Sequence, residues 1–300
     1  MNRRAIQGGG ASLKNVIIDF DNTIGIEHCD IDDALALIYL LGDPGVTVRA
    51  VTTSFGNSTQ ENVTKATRYL FDELGLSGIP VYRGCDSPTD RKSAAADFIA
   101  GYLAGAKGKC TLLVTGSVSN IYQAWLQNGS MADALDEIVF MGGVTERLLL
   151  HGHDLPELNF SVDPEAAHGV MAIGAPKTVI TANPCLSAFF DDEIFSRLRG
   201  SGAGPHMDFL LRHAAEWADF LEKVFSVRGF HVWDVVAACY LTDPALFAHR
   251  WCGLFSSPDD FRTGLLRCGE KGGDVNIPTA INDLALFWDT VVGRWVSALR

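Results

Sequence analysis

The chain has 300 residues, 47% of them apolar and 20% charged, enough to bury a large core in one big α/β domain or two small ones. Its formal charge of −12 excludes a non-specific nucleic-acid binder, because phosphate backbones are held by clustered Lys and Arg. The seven cysteines include no CxxC pair, which argues against a disulfide framework and against a structural zinc site.

No apolar run reaches the roughly 18 to 20 residues that cross a bilayer, and Met1 to Ser12 has no apolar stretch behind Arg3 and Arg4. The expectation is a cytoplasmic protein without membrane partners, with a loose Gly-rich arm at 1–12 and a single domain over 13–300. Short β-branched runs bounded by Gly, Asp, Asn or Pro predict strands at Asn15–Phe20, Val46–Thr53, Pro80–Tyr82, Thr111–Val114, Glu137–Phe140 and Lys177–Thr181. Helical spacing predicts helices at Asp32–Leu41, Glu61–Glu73 and Asn120–Leu126, and a helical region at Ser187–Arg228 that forms a cap or a mobile cover. Strands alternating with helices read as a Rossmann-like α/β fold with an open, mostly parallel sheet. Ligands of such sheets bind beyond the carboxyl ends of the strands, so polar residues just after strands are the functional candidates.

The first strand ends in Asp19 and Asp21, two residues apart and so expected on one face. Asp30, Asp32 and Asp33 follow at a helix start, where free amides and the helix dipole favour carboxylates. Asp30 reads equally as an N-cap or as part of a site. Five aspartates within fifteen residues need a counter-charge, and an all-oxygen set favours a hard cation, Ca²⁺ or Mg²⁺, over zinc. The string Asp19-Phe20-Asp21-Asn22-Thr23 also resembles the DxDxT signature of haloacid-dehalogenase-type phosphatases, with Asp19 as nucleophile and Asp21 as acid/base. That reading needs a late GDxxxD pair, and the chain offers only Gly273-Asp274 followed by Val-Asn-Ile-Pro.

Further strand ends carry Gly56 and Asn57, Thr115 to Asn120, and Met141 to Gly143; Glu157 and Asn159 precede a helix near Asp163-Pro164, and Asp234 opens a late helix. In this order they resemble the inosine-uridine-preferring nucleoside hydrolase family over roughly Val16 to Phe247. The resemblance implies an enzyme that hydrolyses the N-glycosidic bond of ribonucleosides with one Ca²⁺, in purine or pyrimidine salvage, as a homodimer or homotetramer. It implies Asp21 as metal ligand and general base, with Asp33, the Thr115 carbonyl and Asp234 as further ligands and Asp19 as a support that orients them. Asp32, Asn57, Glu157 and Asn159 would hold ribose hydroxyls, with Met141 lining the ribose pocket. A second reading is a homologue that binds nucleoside or ribose and has lost catalysis.

Four departures from the family pattern stand out. The segment between Asp21 and Asp32 is longer, which makes Asp30 an alternative to Asp32. Trp233 occupies the position, just before the late Asp, where many members carry a His that can protonate the leaving base; here the indole can stack on the base. No histidine falls within Ala95–Lys109, and no Asn is evident among His151, Gly152 and His153 ahead of Glu157. His206, His213 and His231 are the remaining candidates for protonating the base.

Overall fold

The computed structural model describes residues 13–106, 108–150, 152–202, 204–269 and 273–300. The expected arm at 1–12 lies outside the described residues. The main sheet contains β1 (Lys14–Phe20), β2 (Val46–Thr53), β3 (Val81–Tyr82), β4 (Cys110–Val114) and β5 (Leu135–Met141). A hairpin follows, β6 (Leu149–Leu150) and β7 (His153–Asp154), then sheet strand β8 (Lys177–Ile180). A ribbon of β9 (Phe189–Phe190) and β10 (Phe230–His231) precedes the late strands β11 (Trp251–Leu254), β12 (Cys268–Gly269) and β13 (Val275–Asn276). The helices are α1 (Asp32–Leu41), α2 (Gln60–Leu74), α3 (Ala94–Gly105), α4 (Ser119–Gln127), α5 (Pro164–Val170), α6 (Ala182–Cys185), α7 (Asp192–Gly200), α8 (Pro205–Phe225), α9 (Trp233–Thr242), α10 (Pro258–Phe261) and α11 (Leu284–Ala298).

The sheet order is β12-β11-β13-β8-β5-β4-β1-β2-β3, parallel throughout except where β11 pairs with β13 and β12. From β1 the chain steps outward to β2 and β3, then returns to the other side of β1 for β4, β5 and β8. The direction of winding therefore reverses between β1 and β4, and their carboxyl ends open the crevice where such sheets bind ligands. The period-2 alternation of β1 sends Val16, Ile18 and Phe20 into one core and Ile17 into the other. The first core packs α1, α9 and α11, and the second packs α3, α4 and α5.

Helix α1 is buried from Asp32 to Leu40, which fits a sequence apolar on all sides after its two leading acids. It packs along α9 and α11, so both α1 and α9 present their N-termini to the crevice. The expected strands appear within one or two residues of their observed ends, and Thr181 leaves its strand to cap α6. The 187–228 region is helical as expected, as α7 and α8, and the β9–β10 ribbon frames it. Strands β11 to β13 were not legible in the sequence: pieces of two to four residues carry no period, and the sheet edge decides them.

Gly42 ends α1 where α11 crosses it, and a Cβ there would lie 1.9 Å from the Arg294 carbonyl oxygen. The obstacle is backbone, so it cannot rotate away. Gly42→Ala is expected to destabilise the fold by about 1–3 kcal/mol, as overpacked sites do, with a lowered Tm and an unchanged helical circular dichroism signal below it.

Candidate active site

Four aspartates meet at the winding reversal, and each is at least 97% buried: Asp21 follows β1, Asp32 and Asp33 open α1, and Asp234 opens α9. Oxygens of Asp32, Asp33 and Asp234 lie within 4.8 Å of one another, close enough to share one metal ion. Asp33 contacts the Asp21 carboxyl and accepts a hydrogen bond from Thr115 Oγ1 at 2.7 Å. The Asp234 amide donates to Asp32 Oδ2 at 3.1 Å, which ties the two helix starts together. Asp21 Oδ2 accepts the Asn57 amide at 2.6 Å, and its Oδ1 accepts Asn57 Nδ2 at 3.1 Å.

No Lys or Arg forms an ion pair with any of the four among the described residues. Burial raises the Asp21 pKa to about 7, against the Asn57 hydrogen bond that lowers it. Burial first, then the charges of Asp32, Asp33, Asp21 and Asp30, holds Asp234 well above the ordinary carboxylate range. Asp33 is raised in the same way by burial and by Asp21 and Asp32. Two helix N-termini give roughly half a positive charge each, too little for four carboxylates. The donor set is all oxygen, so the site fits a hard divalent cation.

Asp19 is also buried, and burial raises its pKa to about 7. Its carboxylate accepts Thr52 Oγ1 at 2.8 Å and Asn120 Nδ2 at 2.9 Å. The strand ends at Phe20, so the alternation that would have joined Asp19 and Asp21 on one face stops between them. Asp19 faces α4 instead of the cavity, with its oxygens occupied, and is poorly placed to attack a phosphate.

The crevice is a cavity of about 180 Å³. Its lining is part polar, with Asp30, Asp32, Asp234, Asn57, Glu157 and Asn159, and part apolar, with Met141, Leu148, Leu155, Leu158 and Trp233. All six residues expected to bind substrate, Asp32, Asn57, Met141, Glu157, Asn159 and Trp233, therefore line one hollow. Asp30 lines it as well, while its Oδ1 accepts the Ile31 amide at 2.6 Å and the Asp32 amide at 3.3 Å. The N-cap of α1 is Ile31, without a side-chain cap bond, so the reading of Asp30 as N-cap is corrected: it stands one residue ahead of the cap and lines the hollow.

Asn159 Nδ2 donates to the carbonyls of Thr115 at 2.8 Å and Met141 at 2.9 Å, joining the ends of β4 and β5. Glu157 accepts the amides of Gly143, Phe160 and Ser161 at 3.0, 2.9 and 2.8 Å, which lower its pKa against the larger raising effect of burial. Of the histidines, His213 lies away from the hollow, bonded to Tyr69 at 3.1 Å and Glu216 at 3.0 Å. His206 does not line the hollow. His231 sits behind Trp233, their rings 5.0 Å apart, and His151 lies outside the described residues.

Sequence reasoning gave no part to several residues that shape the site. Asn120 reaches Asp19 and the Thr53 carbonyl with Nδ2, and its Oδ1 accepts the Cys85 amide at 3.2 Å. Gly56 is required by close approach, since a Cβ there would lie 1.9 Å from Asp21 Oδ2. Leu148 and Leu155 bracket the β6–β7 hairpin, too short a segment to announce itself.

The sheet, its winding reversal and the carboxylates beside a polar and apolar hollow define an α/β enzyme with a site built to hold a cation. The sequence matches the inosine-uridine preferring nucleoside hydrolase family model over residues 16–283, and the chain belongs to that family. It is accordingly a hydrolase acting on N-glycosyl compounds. It is 27% identical over 266 residues to the inosine-uridine preferring nucleoside hydrolase of Crithidia fasciculata, covering 78% of this chain and 80% of that one. It is 30% identical over 254 residues to the Leishmania major protein of the same name, covering 74% and 79%. The purine-preferring ribonucleoside hydrolase from Gardnerella vaginalis shares the fold, with a TM-score of 0.82 over 95% of this chain and 99% of that one at 21% identity.

The raised carboxyl pKa values fix how the metal-free protein responds to pH. Asp19 and Asp21 titrate near 3.8 when unfolded and near 7 when folded, so the folded state holds protons that the unfolded state has released. Stability is therefore greatest at the acid end of that interval and falls as pH rises through it. In excess chelator the Tm is expected to drop between about pH 4 and pH 7, and added Ca²⁺ to restore more of it at the upper end. A chelated protein with a flat Tm over that range would contradict the assignment.

Proposed function

We propose that the protein hydrolyses ribonucleosides to free base and ribose, using one Ca²⁺ held by Asp21, Asp33, the Thr115 carbonyl and Asp234. The observation that carries this reading is the set of buried, closely spaced carboxylates with no cationic partner among the described residues, beside a hollow lined by Asp32, Asn57, Glu157 and Asn159. Asp32 closes the same cluster and faces the hollow, where it would hold a ribose hydroxyl together with Asn57, Glu157 and Asn159. Ca²⁺ takes six to eight oxygens, of which Asp21, Asp33, the Thr115 carbonyl and Asp234 would supply part. Bound there, the ion lowers the pKa of a water molecule and orients the ribose.

Asp21 accepts the proton from the attacking water. The Asn57 amide and side chain fix the direction of its carboxylate. The C1′–N bond breaks through an oxocarbenium-like state, and the carboxylate wall stabilises positive charge that exists only then. Asn57, Asn159 and the acids contact hydroxyls at a buried surface, so a deoxyribose would leave polar groups unpaired. Thr52 and Asn120 hold Asp19 behind the ligands, and the Thr115 amide, 2.8 Å from the Asp19 carbonyl, transmits that position to the ligand carbonyl.

Incubation with inosine, uridine, cytidine and adenosine is expected to release reducing sugar, with loss on chelation and recovery on adding Ca²⁺. Asp21→Asn is expected to lower kcat by about 10² to 10⁴, the size of a general-base contribution. No sugar released under any metal condition, or release indifferent to chelation, would sink the reading.

A further inference from the structure

The segment between Asp21 and Asp32 leaves the site and returns to it as a closed loop. Thr23 Oγ1 donates to the Asp30 carbonyl at 2.6 Å, which ties the two ends of the excursion together. Within it the Ile26 amide donates to the Thr23 carbonyl at 2.9 Å and the Cys29 amide to the Ile26 carbonyl at 3.3 Å. His28, on the exposed part of the loop, stacks on Phe220 of α8 with ring centroids 4.3 Å apart. The loop is thus fastened at its neck and on its outer side, and it brings Asp30 back to the hollow.

Asp30 lines that hollow and is only partly covered. Its Oδ1 takes the amides of Ile31 and Asp32, which sets the direction of the carboxyl. The carboxyl also meets that of Asp32, the residue given a ribose hydroxyl above. No Lys or Arg forms an ion pair with it among the described residues. The group spaced closely enough to share a metal is Asp32, Asp33 and Asp234, and Asp30 stands outside it. We propose that Asp30 is a specificity-determining residue that accepts a hydrogen bond from a sugar hydroxyl, beside the one held by Asp32; this rests on the function proposed above. An ionised carboxyl can only accept, and two in contact repel each other unless donors reach them. A sugar with hydroxyls on neighbouring carbons brings two donors at once. The loop therefore adds a fifth side chain to the four that hold the ribose, and it favours a sugar with its hydroxyls intact.

Asp30→Asn tests this, since its side-chain oxygen can still accept the Ile31 amide while the charge and the second acceptor are lost. At saturating Ca²⁺, kcat/KM for inosine and for uridine should fall about ten- to a hundredfold, the worth of a hydrogen bond to a charged group. The factor should be the same for both, because the ribose is common to them. Among 2′-, 3′- and 5′-deoxyinosine, one should lose nothing further on substitution, because the hydroxyl that Asp30 holds is already missing. Inhibition constants against inosine cleavage replace kcat/KM for an analogue that is not turned over. Thermal melts establish folding, and Asp30→Ser, whose hydroxyl also accepts an amide, takes the place of an unfolded Asn variant.

A loss confined to inosine or to uridine would assign Asp30 to the base, and a loss recovered by raising Ca²⁺ would assign it to the metal. A loss equal for inosine and all three deoxy analogues would make its part purely structural. Each of these, or no loss at all, overturns the proposal and leaves nucleoside hydrolysis standing. Cleavage of neither inosine nor uridine by the unaltered protein removes the proposed function itself and this inference with it.

Discussion

Four carboxylates buried together, with no cationic partner among the described residues, are the constraint around which this molecule is arranged. Burial alone pushes each toward protonation, and their mutual repulsion pushes further, as the upward shifts of Asp33 and Asp234 show. The fold answers with oriented amides, two helix N-termini and neutral donors from Asn57 and Thr115. These fix the direction of the carboxylates without cancelling their charge. The remaining charge is of the kind a divalent cation would satisfy, an electrostatic imbalance that the rest of the protein holds in place.

The surrounding architecture follows from holding those groups still. Helices α1 and α9 come from chain segments about 200 residues apart and lie side by side, starts aligned, with the Asp234 amide bonded to Asp32. The carboxyl ends of β1 and β4 are joined where the Thr115 amide, just past β4, donates to the Asp19 carbonyl. Gly56 lets the loop after β2 come close enough to Asp21 for the Asn57 bonds to form. No helix among the described residues is long and apolar enough to cross a membrane.

The hollow divides its labour by polarity. Its lining combines acid and amide side chains with Leu, Met and Trp side chains. Asn159 and Glu157 serve two masters: they face the hollow, yet they also pin the backbone at the ends of β4 and β5. Substitutions at either are therefore felt in backbone position as well as in contacts to a ligand.

Much of this was readable before any coordinates. Alternation at Val16 to Phe20 and the helical spacing of Ala34, Leu37, Ile38 and Leu41 depend on neighbours only a few residues apart, so the sequence by itself determined the strands near the site, the helix after them and the acidity of their ends. The six expected contact residues gathered in one hollow because each follows a strand end or opens a helix in a parallel sheet, a rule of topology that spacing can invoke. Three things were decided only by the tertiary structure. Asp19 and Asp21 went to different partners because the strand stops at Phe20, and Asn120 became the partner of Asp19 across 101 residues. The short strands β11 to β13 formed because the edge beyond β8 offers unpaired backbone groups. Such outcomes depend on which distant groups are brought within bonding distance, and local sequence carries no record of that distance.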